Sequence, residues 1–173
     1  MLSGSSEAEK ASAMIPIVGP AAFVLYVLSA LASMPPSWSA WVAEGASHIE
    51  AIKPSGFRGY MDGGAVYLDW PPDDDPSVTA AGTIVHEAQH AYDWRACIVL
   101  GGGISEARAN YREYLYYRAV RDQERADYWY TVFLVSPWVR EIPQRAIRWD
   151  CTVAYDPLTG QPTRMPAWKL WPR

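Results

Sequence analysis

His86, Glu87 and His90 fall within five consecutive residues, His86-Glu87-Ala88-Gln89-His90, and these are the side chains of the chain best suited to chemistry. Residues four apart on a helix lie one above the other on the same face, so the two imidazoles can converge on a single divalent cation. Glu87, one residue after the first histidine, is rotated off that face and can reach a water beside the metal to take its proton. Metal-assisted hydrolysis is the chemistry this order of residues serves. The plainer reading is that the two histidines only cap and pack a helix.

Two histidines leave a catalytic zinc site incomplete, because such a site takes a third protein ligand and keeps one position open. No histidine follows His90, so a carboxylate must complete the set. Asp93 shares a helix face with His90 but lies two turns from His86, about 10 Å along the axis, which suits a residue that orients an imidazole or ends the helix. Glu106 is the stronger candidate, since it opens the next helix after a short loop and would return antiparallel past the motif. Glu113 is held in reserve. Two imidazoles and one carboxylate suit Zn2+, one ion per chain.

These residues require particular elements around them. Asp75 as N-cap and Pro76 at the first helical position start the motif helix, which is predicted to run to about residue 96 with Val78, Ile84, Val85 and Ala91 toward a core. A glycine loop at 101–103 follows, and Ser105 is predicted to cap a second helix continuing to Val120. A polar stretch at 122–125 interrupts it before the apolar run 128–135. Upstream, two extended runs, 57–61 and 65–70, are joined by Asp62-Gly63-Gly64 and read as a hairpin. Val66, Leu68 and Trp70 are predicted to be buried, with Tyr67 and Asp69 wet. From Ser37 as N-cap, Trp38, Trp41, Val42, Ala46, Ile49 and Ile52 recur at three and four, predicting an amphipathic helix closed by Pro54-Ser55-Gly56. His48 lies beside that stripe and reads as a locally bonded histidine.

With the His-Glu-x-x-His motif at 86–90 and a glutamate-bearing helix behind it, the chain resembles the gluzincins over roughly residues 37–120. These are zinc metallopeptidases in which the helix after the motif supplies a glutamate ligand. The resemblance implies an α+β, zincin-like domain made of a backing helix, a small sheet with an edge strand, the active-site helix and the glutamate helix. It implies His86, His90 and Glu106 as zinc ligands and Glu87 as general base for peptide-bond hydrolysis. It also implies substrate aligned along the strand of Val66, Tyr67 and Leu68. In several gluzincins an aspartate four residues after the ligand glutamate orients a zinc histidine; here Asn110 stands at that place, able to accept a proton from an imidazole but adding no charge. Tyr111 and Tyr114 are the candidates for stabilising the oxyanion.

The 173 residues divide by composition into 1–36, a metallopeptidase-like domain at 37–135, and 136–173. A net charge of −4, with no block of lysine and arginine, argues against nucleic acid as a partner. Cys97 and Cys151 are too few for a disulfide framework and read as buried thiols, or as one bridge in an oxidising compartment. No charged residue lies between Lys10 and Glu44, and the apolar segment 15–34 within that gap has three readings. It is a membrane anchor or insertion, a contact buried against other subunits, or a cleaved signal ending at Ala30-Leu31-Ala32. The leader before it carries two glutamates and one lysine, unlike a secretory signal. Residues 136–173 interleave prolines 137, 143, 157, 162, 166 and 172 with Trp138, Trp149, Trp168 and Trp171, and predict an extended arm wrapping the domain or a protein partner. The sequence thus predicts a zinc peptidase acting on a peptide or protein, membrane-associated or carried in a multi-protein particle. Its rival is a structural component of a viral or secretion-type assembly that keeps the same fold.

Overall fold

The computed structural model describes residues 15–55, 58–72, 79–95, 102–137, 154–155 and 162–163. Asp75, Pro76, Val78, Cys97, Cys151 and most of the proline- and tryptophan-rich arm lie outside these residues. The fold is α+β. In chain order the described elements are β1 (Ile17–Val18), α1 (Ala21–Ser33), α2 (Pro36–Gly45), β2 (Ile49–Ile52), β3 (Gly59–Asp62), β4 (Ala65–Asp69), α3 (Ala80–Arg95), α4 (Gly102–Ala119) and α5 (Gln123–Val135), followed by the short antiparallel pair β5 (Ala154–Tyr155) and β6 (Pro162–Thr163).

Strands β1 to β4 form a mixed sheet in the order β1-β2-β4-β3, in which β3 is the antiparallel edge. The turn between β3 and β4 falls on Gly63 and Gly64, with φ of 56° and 85°. Two successive residues with positive φ are what a tight hairpin turn needs, and glycine adopts them without a Cβ penalty. Val66 and Leu68 point into the core as the alternation predicts. Asp69 does not face water: it is buried and accepts from the backbone N–H and the hydroxyl of Ser55.

The helix predicted from Ser37 through Ile52 is corrected. It begins one residue earlier, with Pro36 in its first turn, and stops at Gly45, while Ile49–Ile52 becomes a strand paired to β1 and β4. The same apolar residues satisfy either period over so short a window. Branched Ile49 and Ile52 gain more from two flanking strands than from another helical turn. Gly45 sits where α2 crosses α3, and a Cβ there would lie 3.2 Å from the carbonyl oxygen of Ala88.

Helix α1 buries Phe23, Val27 and Ala30, spaced four and three apart, in the same core as Val42, Ile49, Val66, Ile84 and Val85. Phe23 and Tyr26 pack on the Trp70 ring at 5.6 and 5.3 Å between centroids. The segment that composition sets apart is thus built into the domain. Its 13 helical residues extend about 20 Å, against roughly 30 Å of bilayer hydrocarbon. Among the described residues no helix is long and apolar enough to cross a membrane.

Helices α3 and α4 pack antiparallel and carry the site. Their register is set by polar side chains: Asp93 accepts two bonds from the Arg108 guanidinium, both 2.9 Å, and Arg112 donates to Gln89 at 2.8 Å. Arg112 also stacks over the Trp41 ring, tying α2 to the pair. The chain leaves α4 through Arg121, at φ 61°, and Asp122 caps α5 by accepting from the N–H of Arg125. This is the interruption the polar stretch predicts.

Candidate metal centre

One turn of α3 separates His86 from His90, and their rings lie 5.1 Å apart. Glu106, in the second turn of α4, reaches both: its two carboxylate oxygens are each 3.3 Å from one Nε2, Oε2 from that of His86 and Oε1 from that of His90. The ligand atoms of the three residues all lie within 4.8 Å of one another. Zinc bonds of 2.0–2.2 Å arranged tetrahedrally hold neighbouring ligand atoms about 3.4 Å apart, so the observed imidazole-to-carboxylate spacing fits one such ion.

The far nitrogen of each ring is also held. His86 Nδ1 lies 3.2 Å from Oε2 of Glu113, and His90 Nδ1 lies 2.8 Å from the hydroxyl of Ser105. With Nδ1–H donated to these groups, each imidazole can offer its Nε2 lone pair to a metal once the Nε2 proton is displaced. Ser105 was expected to cap its helix. Instead α4 starts three residues earlier, at Gly102, and Ser105 sits in the first turn against His90.

Several other expected roles are redistributed. Glu113, the reserve candidate, meets Nδ1 of His86 instead of joining the group of His86, His90 and Glu106, and it is 1% exposed. Asn110 and Asp93 do not take the place of imidazole partners. Antiparallel packing brings Glu113, one turn beyond Asn110, level with His86, while Asp93 is occupied by Gln89 and Arg108. Tyr111 packs on Tyr114 and Phe133, and Tyr114 on Tyr111 and Tyr130, so both rings turn toward α5. The strand of Val66, Tyr67 and Leu68 is hydrogen-bonded on both sides and has no free edge for a peptide; among the described residues the sheet ends at β1 and β3, and β3 is the edge beside Glu87.

Glu87 is 7% exposed beside the imidazoles. Burial raises its pKa above the ordinary carboxylate value, against the pull of His86 and His90. At Gly59, the first residue of β3, a Cβ would stand 3.3 Å from Glu87 Cγ and 2.7 Å from the Tyr67 carbonyl oxygen. Glycine is therefore what lets the edge strand come this close to the acid.

Gly82, one turn before His86, admits a second close approach. A Cβ there would collide with the Tyr117 hydroxyl and lie 2.8 Å from Oε1 of Glu113. Burial and the charge of Glu113 push the Tyr117 phenol up to about 12, and its oxygen is met by the N–H and hydroxyl of Thr79. Alanine at this position would gain about 1 kcal/mol of helix propensity but overpack this layer, which costs about 1–3 kcal/mol. Gly82→Ala is expected to lower the denaturant midpoint and to weaken metal binding by displacing Glu113; a more stable variant with unchanged affinity would contradict this packing.

Burial opposes charge on His86, but its hydrogen bonds to Glu106 and Glu113 outweigh that and raise its pKa from 6.5 to about 10. The hydrogen bonds from His86 and His90 hold Glu106 well below the usual carboxylate range. A histidine whose folded pKa is raised contributes stability that is complete below its unfolded value of 6.5 and is lost as pH rises through about 10. Glu87 acts in the same sense, because burial penalises its ionised form. The Glu106 contribution is lost only in acid, as pH falls below 4.5. Chelator-treated protein is therefore expected to unfold at lower denaturant near pH 9 than near pH 6. Equal midpoints would rule out the imidazolium bridge between Glu106 and Glu113.

Sequence reasoning did not pick out Trp129, whose ring lies 6.2 Å from that of His86, or Arg58, whose guanidinium carbon lies 5.2 Å from the Trp129 ring. No short-range pattern marks them, because they come from two elements on either side of the motif. The role of Glu113 was within reach, since residues seven apart share a helix face and Glu113 follows Glu106 by seven. No protein-family model, curated protein or solved structure matches this chain.

Proposed function

We propose that the protein is a zinc-dependent peptidase of gluzincin type, with His86, His90 and Glu106 as ligands and Glu87 as general base. One observation carries the reading: both Nε2 atoms face a single carboxylate while both Nδ1 atoms are held by Glu113 and Ser105, with a buried acid alongside. Structural pairs of histidines have no need of four such contacts. When bound, zinc supplies Lewis acidity that polarises a peptide carbonyl and makes water acidic near neutral pH.

The chain's own residues do the rest. Glu87 accepts a proton from the attacking water, a step its raised proton affinity favours, and then delivers it to the leaving nitrogen. Glu113 and Ser105 keep the two ligand rings from rotating. The outer edge of β3 can take an extended peptide as an added strand, beginning at Gly59 beside Glu87.

The test combines metal content with cleavage. Protein dialysed against micromolar zinc should hold about one ion per chain by elemental analysis, and should cleave a defined peptide mixture in a reaction that chelation stops and zinc restores. A full complement of zinc with no cleavage of any peptide would sink the peptidase reading. The assembly reading draws on apolar side chains left exposed on two helices, Leu25 of α1 and Leu134 and Val135 of α5. A large native particle by sedimentation, together with such inactive zinc-loaded protein, would favour it.

A further inference from the structure

Donors without acceptors gather at one point beside the centre. Arg58 immediately precedes β3, and its guanidinium carbon lies 5.2 Å from the centroid of the Trp129 ring. Among the described residues it forms no ion pair or hydrogen bond through its side chain. Trp129 is 4% exposed, and its indole N–H is buried with no acceptor among those residues. The same indole lies 6.2 Å from the His86 ring. A planar fork of N–H groups therefore lies over a ring whose edge carries an unpartnered N–H, next to one of the two motif histidines, an arrangement suited to a carboxylate.

The direction of β3 says which carboxylate. A peptide added antiparallel to this strand runs from the Asp62 end toward Gly59, where its backbone meets Glu87. Its residues beyond that point continue toward Arg58. The two ring distances limit the gap from imidazole to guanidinium to no more than about three residues of extended chain at roughly 3.3 Å each. Resting on the peptidase reading above, we propose that Arg58, supported on Trp129, binds the terminal α-carboxylate of the substrate, so that the protein releases short fragments from peptide C-termini.

Binding is measured first, on the full chain loaded with zinc and carrying Glu87→Gln so that ligand stays intact. The probes are N-acetyl-tetra-alanine as the free acid and as the C-terminal amide, titrated calorimetrically. The acid is expected to bind at least about tenfold more tightly. Adding Arg58→Ala should reduce that preference to within about twofold, and Arg58→Lys should keep part of it, since the charge remains but the fork does not. Trp129→Phe, which keeps an aromatic face and removes the N–H, should also reduce it. Equal affinity for acid and amide, no binding of either, or a preference that survives Arg58→Ala would overturn the proposal. Cleavage by the wild type separates the two readings: equal hydrolysis of both peptides retains the peptidase and removes the carboxylate site. Acid-selective binding with no hydrolysis retains the site and removes the peptidase.

Discussion

Glu106→Ala is expected to empty the centre: zinc near one ion per chain in the wild type should fall to a trace at micromolar free metal, with affinity down at least about a hundredfold. Losing even a residue that only orients a ligand costs 10–100-fold in metal affinity, so losing a ligand should cost no less. The Glu106 side chain is 59% exposed and its contacts to the two imidazoles are what the substitution removes. The metal-free variant is expected to lose stability as well, since the bonds from Glu106 to both imidazoles go with the carboxylate, so metal content is compared on protein shown to be folded. The readout need not involve activity. A metal that binds only the folded state stabilises it by about 4 kcal/mol at a thousand times its dissociation constant, so zinc should raise the wild-type melting temperature and leave the variant's unchanged. Zinc retained at one per chain in the variant would place the third ligand elsewhere.

Glu87→Gln should give the opposite pattern, with zinc retained and turnover lost. General-base catalysis contributes about 10²–10⁴-fold, and an amide of the same shape cannot take a proton from water. Glu87 is buried, so removing its charge relieves a desolvation cost, and the variant should be as stable as the parent or slightly more so. A cleavage rate within a few-fold of wild type would mean that another group is the base. Taken with Glu106→Ala, this pair distinguishes a residue that holds the metal from one that moves the proton.

How far the centre could be read in the chain depended on sequence separation. His86, Glu87 and His90 belong to one helical turn, and the helical repeat alone puts both imidazoles on a common face. Glu106 was the stronger candidate because a short loop between two helices leaves antiparallel return as the simple geometry, and the structure brings it to both imidazoles. Asn110 was assigned by counting four residues from Glu106, but the imidazole it was meant to serve lies one turn farther along α4, level with Glu113. That offset is fixed by how α3 and α4 slide against each other, through Asp93 with Arg108 and Gln89 with Arg112. A composition reading of either helix contains no information about it.

The sheet gives the same lesson. Alternating residues in 65–69 and the paired glycines at 63 and 64 were enough to predict the hairpin, since turn geometry and side-chain alternation are local. Which of its strands would be the edge was not local. β4 became internal because Ile49–Ile52, expected as helix, pairs with it in parallel, and that exchange moved the free edge to β3. By itself, then, the sequence determined the motif, the hairpin and the α+β class, each from periods of two to four residues. Only the tertiary structure decided the partner of each imidazole, the open strand and the meeting of Arg58 with Trp129, because those depend on the register between elements distant in the chain, set by packing of the whole core.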